Sequence, residues 1–147
     1  MKTYVITLSR SFPAKHSKAG MPTGFKEKFL RGEKMHTIRA NFQLWEKRIK
    51  EVQAGDAVLS IRQWTGKPYR SKQVEIAQLT ATDGVGIQKI CFLGEDFNGG
   101  YIQKGVFPSN EILAINDGLS VEDWEEWFRN YDLSKFLAII HFTKFRY

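Results

Sequence analysis

Hydrophobic and polar positions along the chain follow two periods, and the change from one to the other marks the predicted elements. Residues 3–8 alternate well enough to predict a first strand, and the apolar run over 57–64 predicts another. Residues 24–31 and 41–52 instead place apolar side chains three and four positions apart, which predicts two amphipathic helices. Gly32 follows the first of these helices and is a typical helix end.

The second half of the chain contains three more apolar stretches of strand character, at 73–82, 85–93 and 136–145. The turn residues at 65–68 come before the first of them and predict the tip of a β-hairpin. Ser120, with an acidic residue three positions later, predicts the start of a third helix, because the two side chains can cap its first turn.

Together these patterns predict five to six strands and about three helices, without an internal repeat or a linker. Short turns join most neighbouring strands, which favours antiparallel pairing over an alternating parallel α/β sheet. We therefore predict a single α+β domain over 1–147. Its expected form is a small, mostly antiparallel β-barrel, closed by the C-terminal strand and flanked by helices.

Composition narrows the class of protein. The single cysteine, Cys91, excludes an intrachain disulfide and a cysteine-cluster metal site. The histidines at positions 16, 36 and 141 lack the spacing of metal ligands. The N-terminus lacks the apolar run of a secretory signal, and no run of about 18 apolar residues predicts a membrane helix. We therefore expect a cytoplasmic protein with no metal, no cofactor and no membrane partner.

Charge is distributed unevenly along the chain. Residues 1–50 carry 12 Lys or Arg against 3 Asp or Glu, a net charge of +9, whereas residues 51–147 carry 10 against 13, a net charge of −3. A cluster of cations with an overall charge of +6 favours an anionic partner, and nucleic acid is the commonest one. The partner predicted from charge is therefore nucleic acid or a nucleotide.

The predicted hairpin tip interleaves cations with aromatic side chains. Such a surface suits single-stranded nucleic acid, because bases stack on the rings while the cations meet phosphates. The alternative is a hairpin whose aromatic side chains pack inward and whose cations keep its edge soluble. Both interpretations stay open from the sequence, and the candidate binding residues are Arg62, Trp64, Lys67, Tyr69, Arg70 and Lys72.

The densest chemistry of the chain lies where the first helical pattern ends. Lys34, His36, Thr37 and Arg39 supply an amine, an imidazole, a hydroxyl and a guanidinium within six residues. If this run were extended throughout, Lys34 and Thr37 would point to opposite faces of a strand. The two side chains meet only if the turn at Glu33-Lys34 or a β-bulge re-aims one of them. The alternative interpretation is a half-buried strand with solvated charges at its ends.

The run from Gly32 through Lys34 to Thr37-Ile38-Arg39, the Gly-Asp turn at 55–56 and the Asn-Asp-Gly turn at 116–118 together look like an ASCH domain, a branch of the PUA-like superfamily. The resemblance spans nearly the whole chain. It implies a small β-barrel with a cleft that binds RNA or nucleoside-like ligands. Some small bacterial proteins of this kind are amidohydrolases that remove the acetyl group from acetylated cytidine.

The resemblance implies site residues as well. Those enzymes use a lysine, a threonine and a glutamate, which correspond to Lys34, Thr37 and the one-methylene-shorter Asp117. Two roles stay open. A lysine with a lowered pKa can activate the threonine hydroxyl as a nucleophile while the carboxyl group protonates the leaving amine. A charged lysine paired with the carboxylate instead gives a binding site without turnover, with His36 and Arg39 beside the ligand. We favour the binding role; a third possibility is an interaction domain with a vestigial cleft.

Overall fold

The computed structural model describes residues 1–94 and 97–147. In this part of the chain there are seven strands and four α-helices. In chain order they are β1 (Lys2–Thr7), α1 (Phe25–Leu30), β2 (His36–Arg39), α2 (Phe42–Gln53), β3 (Ala57–Trp64), β4 (Gln73–Leu79), β5 (Gly86–Phe92), β6 (Gly100–Tyr101), α3 (Asn110–Asn116), α4 (Val121–Phe128) and β7 (Leu137–His141).

The strands form two separate sheets, so the predicted closed β-barrel is wrong. One sheet has the order β1-β3-β4 and the other has the order β2-β7-β5-β6. Strand β1 pairs with β3 in parallel, because the chain between them carries α1, β2 and α2 and returns in the same direction. The domain is α+β, as predicted, but its described residues form two open sheets with seven strands between them and four helices.

The barrel prediction failed because it inferred strand pairing from short turns. Strands β3 and β4 are consecutive in the chain and pair antiparallel, as do β5 and β6, whereas β2 pairs with β7 across most of the chain. Strands β1 and β2 end their respective sheets. Between these two edges, the Arg39 guanidinium donates a hydrogen bond of 2.6 Å to the carbonyl oxygen of Thr7. A side chain therefore crosses the gap between β1 and β2, and in the described chain no strand ladder joins them.

The hydrophobic core lies between the sheets and the helices. Helix α2 buries Trp45, Ile49 and Val52, as its apolar spacing predicted. Helix α4 begins after Ser120, whose side chain accepts a hydrogen bond from the Asp123 amide, so the predicted cap is confirmed. Strands β5 and β7 contribute fully buried apolar side chains, among them Ile90, Leu137, Ile139 and Ile140.

Sequence reasoning assigned no element to residues 97–116. This segment contains β6 and α3, and the side chain of Ser109 caps α3 by accepting a hydrogen bond from the Ile112 amide. Helix α3 has only seven residues, too few to show a clear apolar period. Across the described residues, the longest helix has 12 residues and none is long and apolar enough to cross a membrane.

Candidate functional site

A small cavity lies where the start of β2 meets the C-terminus of α3 and one face of α4. Its volume is about 80 Å³, well below the roughly 300–1,000 Å³ of a site that encloses a whole small molecule. A cavity of this size accommodates one end of a ligand. Its lining combines polar groups with aromatic walls: Leu8, Ser9, Phe25, Lys34, Thr37, Ile38, Arg39, Asp117, Leu119, Trp127, Phe128 and Tyr131.

Lys34 and Thr37 both line this cavity because Lys34 lies before the strand. Strand β2 begins at His36, and the Lys34 amide donates a hydrogen bond of 3.1 Å to the Lys28 carbonyl at the end of α1. Lys34 therefore belongs to a turn and escapes the alternation of the strand. The condition stated from the sequence, a turn that re-aims one of the two side chains, is met.

Asp117 reaches the same cavity from the C-terminus of α3. The Met35 amide donates a hydrogen bond of 2.8 Å to the Asn116 carbonyl, which ties the end of α3 to the start of β2. Gly118 follows with φ +85°, and a Cβ atom at this position would lie 3.2 Å from Cβ of Lys34. Asp117 is thus the C-cap residue of α3.

A buried ion pair joins the two sides of the cavity. The Lys34 Nζ atom lies 2.9 Å from Oδ1 of Asp117 and 2.7 Å from the Asp117 carbonyl oxygen. Burial lowers the pKa of Lys34, although the Asp117 carboxylate opposes this effect. Burial alone would raise the pKa of Asp117, but Lys34 and His36 outweigh it and hold this pKa below its ordinary value. Asp117 is therefore ionised at neutral pH.

Two side chains other than Lys34 lie against the Asp117 carboxylate, and one of them, His36, links it to Tyr147. The indole Nε1 of Trp124 donates to Oδ2 of Asp117 at 3.2 Å, and Nδ1 of His36 lies 3.4 Å from Oδ1. The other ring nitrogen of His36 is 2.7 Å from the Tyr147 hydroxyl, which also accepts a 3.0 Å hydrogen bond from the Asn116 amide group. Nδ1 of His36 is buried and makes no hydrogen bond among the described residues, so its 3.4 Å approach to Asp117 is an electrostatic contact.

Lys34, His36, Asn116, Asp117, Trp124 and Tyr147 form what we call the buried polar cluster. His36 is fully buried behind Asp117 and is not part of the cavity lining, so its assignment as a ligand-binding residue stays a prediction. Sequence reasoning missed Asn116, Trp124 and Tyr147. The available signal was chemical, because a buried indole N–H or phenol usually requires a polar partner.

Thr37 and Arg39 form a second pair in the cavity wall. The Nε atom of Arg39 donates to the Thr37 hydroxyl oxygen at 3.2 Å, while its terminal nitrogen binds the Thr7 carbonyl. Burial lowers the pKa of the Arg39 guanidinium from its very high ordinary value. Within residues 1–94 and 97–147, Lys34 makes no hydrogen bond to Thr37.

A groove of about 430 Å³ adjoins the cavity and shares Leu8 and Ser9 with it. It runs between residues 9–14 and the hairpin tip, where Trp64 and Tyr69 line it with ring centroids 5.1 Å apart. Tyr69 is 89% exposed. The two predicted aromatic residues of the hairpin therefore face this groove rather than the cavity.

The four predicted cations of the hairpin lie outside the cavity. Lys67, Arg70 and Lys72 are at least partly exposed to solvent. Arg62 is half-buried, and its guanidinium donates to the Ser60 hydroxyl at 2.8 Å and to the Gln73 side chain at 3.3 Å. Three of the four cations are thus solvated, and both interpretations of the hairpin allow this. Arg62 instead bonds to side chains of its own hairpin.

The basic loop over 9–22 is docked on α4. Nε2 of His16 lies 3.0 Å from the Asp123 carbonyl, the Ser17 amide donates to Glu126 at 2.9 Å, and Lys18 pairs with Asp123 at 2.8 Å. The lowered pKa of Asp123 reflects these contacts: burial raises it, but bonds from Lys18 and Ser120 outweigh burial. The loop therefore has a defined position beside the cavity.

In the described part of the chain, no group of three or more His, Cys, Asp or Glu side chains is placed to hold a metal ion.

The resemblance to ASCH domains, drawn from the run Gly32 to Arg39, stays a prediction. Comparisons with protein-family models, with curated proteins and with solved structures found no match to this chain.

Proposed function

We propose that the protein binds the end of a single-stranded RNA, or a nucleotide, with one polar group in the cavity and the adjoining chain in the groove. The observation that supports this proposal is that the cavity wall keeps hydrogen-bond donors without a partner among the described residues. Lys34 is already neutralised by Asp117 at 2.9 Å, whereas Thr37 and Arg39 retain hydrogen-bond donors within the described structure. A site rich in free donors selects a ligand group rich in acceptors.

The donors can be counted from their known bonds. Arg39 has five N–H groups and, among the described residues, uses one on Thr37 and one on the Thr7 carbonyl. The Thr37 oxygen accepts from Arg39, so its own proton is left for a ligand. Carbonyl and phosphate oxygens are the acceptors that nucleotides provide, and a guanidinium suits both of them.

The surroundings of the cavity fit the same ligand class. The aromatic rings of Phe25, Trp127 and Tyr131 line it and suit a planar base, and Trp64 and Tyr69 extend the aromatic surface along the groove. The hairpin cations and the net charge of +9 over residues 1–50 favour a phosphate backbone.

The proposal is tested by the affinity of a labelled single-stranded oligouridylate, measured by fluorescence anisotropy. Thr37→Val keeps the shape of the side chain but removes the hydroxyl, so we expect affinity to fall about 10-fold, as for one lost hydrogen bond. Thr37→Ser keeps the hydroxyl and is the matched control. Equal affinities of Thr37→Val and wild type would contradict a ligand bound at this hydroxyl.

A second candidate function, an amidohydrolase acting on an acylated nucleoside, is favoured by one observation. Lys34 is buried with a lowered pKa and lines the same cavity as Thr37. A neutral Lys34 would take the Thr37 hydroxyl proton and the oxygen would attack the acyl carbon. The C–N bond would break as the leaving amine takes up that proton, and water would then hydrolyse the acyl–threonine ester. We rank binding first because Nζ of Lys34 bonds to Asp117 and, in the described structure, not to Thr37.

Hydrolysis of acetylated cytidine, followed by chromatography, separates the two candidates. For an enzyme, Thr37→Ala abolishes turnover and Thr37→Ser keeps part of it. Lys34→Arg is then nearly inactive, because a guanidinium stays protonated and cannot act as a base. Wild-type protein that binds the nucleoside but shows no hydrolysis above the buffer rate would reject the enzyme and leave the binding function.

A further inference from the structure

A second groove lies on the other side of Tyr131, which lines both this groove and the cavity. Its volume is about 490 Å³, within the range of small-molecule sites. The groove runs between the start of α2 and the segment that enters β7. It is lined chiefly by Asn41, Phe42, Lys89, Tyr131, Lys135 and Phe136. We call it the Phe136 groove.

Two phenyl rings and an ammonium group form the floor of the Phe136 groove. Nζ of Lys89 lies 4.5 Å from the centroid of Phe136 and 5.2 Å from that of Phe42, so one cation contacts both ring faces. Phe136 is 54% exposed, a large fraction for a phenyl ring beside a β-strand. The groove thus presents an aromatic face to solvent, with the end of a lysine side chain lying over it.

A base and its phosphate would make stronger contacts with these rings and this ammonium group than the rings and Lys89 make with each other. A cation–π contact at an exposed site is weaker than the stacking of a base on the same ring. An incoming base can therefore displace Lys89 from Phe136, and the released ammonium then meets the phosphate. Lys135 adds a second cation, held loosely by Asp132 at 3.9 Å.

We propose that the Phe136 groove binds the nucleotide next to the one whose polar group enters the cavity, on the same single strand of nucleic acid. This inference rests on the proposed function, because Tyr131 is the shared wall between the two sites. The strand then passes from the hairpin groove over the cavity to the Phe136 groove. The occupant is nucleic acid rather than an apolar protein segment, because the floor combines exposed rings with two lysines.

The test is the dependence of affinity on strand length. Oligouridylates of roughly 3 to 12 nucleotides cover the usual range of single-strand site sizes. For the double variant Phe136→Ala with Lys89→Ala, we expect affinity for the longest strand to fall about 10-fold or more and affinity for the shortest to stay unchanged. The matched control is Phe107→Ala with Lys104→Ala, which removes an exposed phenyl and an exposed lysine outside both grooves and the cavity.

Each outcome decides the question. Equal loss for short and long strands, or no loss beyond that of the control, would overturn the Phe136 groove as a nucleotide site while leaving the proposed function standing. Wild-type protein that binds no oligouridylate of any length would overturn both. Circular dichroism and urea unfolding of both double variants confirm that the comparison is made between folded proteins.

Discussion

The buried polar cluster and the hairpin tip carry similar charged and aromatic side chains in opposite surroundings. In the cluster, Lys34 and Asp117 are almost fully buried and bond to each other, and Asp117 also accepts a hydrogen bond from Trp124. At the tip, Lys67 and Arg70 face water, and Tyr69 is almost fully exposed. Burial decides whether such residues serve the fold or remain free for a ligand, because an unpaired charge is costly only where water is excluded.

The largest expected effect comes from removing one partner of the buried ion pair. Asp117→Ala leaves the Lys34 ammonium and the Trp124 indole without their common carboxylate acceptor. We expect the free energy of unfolding to fall by about 3–5 kcal/mol, measured by urea denaturation. Glu46→Ala, which breaks an exposed ion pair with Lys50, is the control and should change stability by less than about 0.5 kcal/mol.

A double variant sharpens this prediction. Asp117→Ala combined with Lys34→Met removes both charges, so stability should recover part of the loss seen with Asp117→Ala alone. A double variant less stable than the single one would show that the loss comes from packing and not from an unpaired charge.

Acid should destabilise the protein through His141, which lies next to the buried polar cluster. Its Nε2 atom donates to the side-chain oxygen of Gln88 at 2.9 Å, since that oxygen also accepts from the Tyr147 amide, and its Nδ1 atom is buried without a hydrogen-bond partner among the described residues. Burial, with smaller effects from His36 and Arg146, lowers the pKa of His141 from 6.5 to about 3. Between pH 6.5 and about pH 3, His141 therefore binds a proton in the unfolded chain but not in the folded chain.

Stability contributed by the neutral His141 is therefore complete above pH 6.5 and decreases as the pH falls toward 3. We expect a loss of about 2 kcal/mol between pH 7 and pH 5, measured by urea denaturation at each pH. Asp117 contributes little in this window, because its pKa is lowered and it stays ionised. His141→Gln keeps a donor for Gln88 and should flatten the slope; an unchanged slope would assign the acid sensitivity to another group.

A smaller effect is expected at the end of the buried polar cluster. Tyr147→Phe removes a hydroxyl bonded to His36 at 2.7 Å and to Asn116 at 3.0 Å, and leaves both without that partner. The expected cost is about 1–3 kcal/mol. Burial raises the pKa of Tyr147, in agreement with a neutral hydroxyl in this position. Tyr101→Phe, at a partly exposed tyrosine, is the control; equal effects of the two variants would contradict a role for the hydroxyl.

The smallest effect on stability is expected at the hairpin tip. Replacing Lys67, Arg70 and Lys72 together by Ala should change the free energy of unfolding by less than about 0.5 kcal/mol. For RNA binding, the log–log slope of affinity against salt should become shallower by about 0.7 for each phosphate that the variant no longer neutralises. Replacing Lys47, Lys50 and Lys104 by Ala removes the same charge elsewhere. If both triple variants change the slope equally, the tip has no specific phosphate role.

Local pattern was enough to locate most elements of the fold. The apolar spacing of α2 and the Ser120 cap of α4 are properties of short segments, so the structure confirms both. The seven-residue α3 was missed because so short a helix shows barely two turns of periodicity. Closure into a barrel was wrong for a related reason: alternation reports that a strand has a buried face but does not identify its neighbour.

The same distinction between local pattern and tertiary contact applies to the candidate site. The sequence by itself determined that an amine, a hydroxyl and a guanidinium lie within the six residues from Lys34 to Arg39. Only the tertiary structure decided that Asp117, 83 residues from Lys34, pairs with it, and that Tyr147, 111 residues from His36, completes the buried polar cluster. Such contacts depend on how α3 and β7 dock against β2, and this docking is set by burial of the whole core rather than by any one segment.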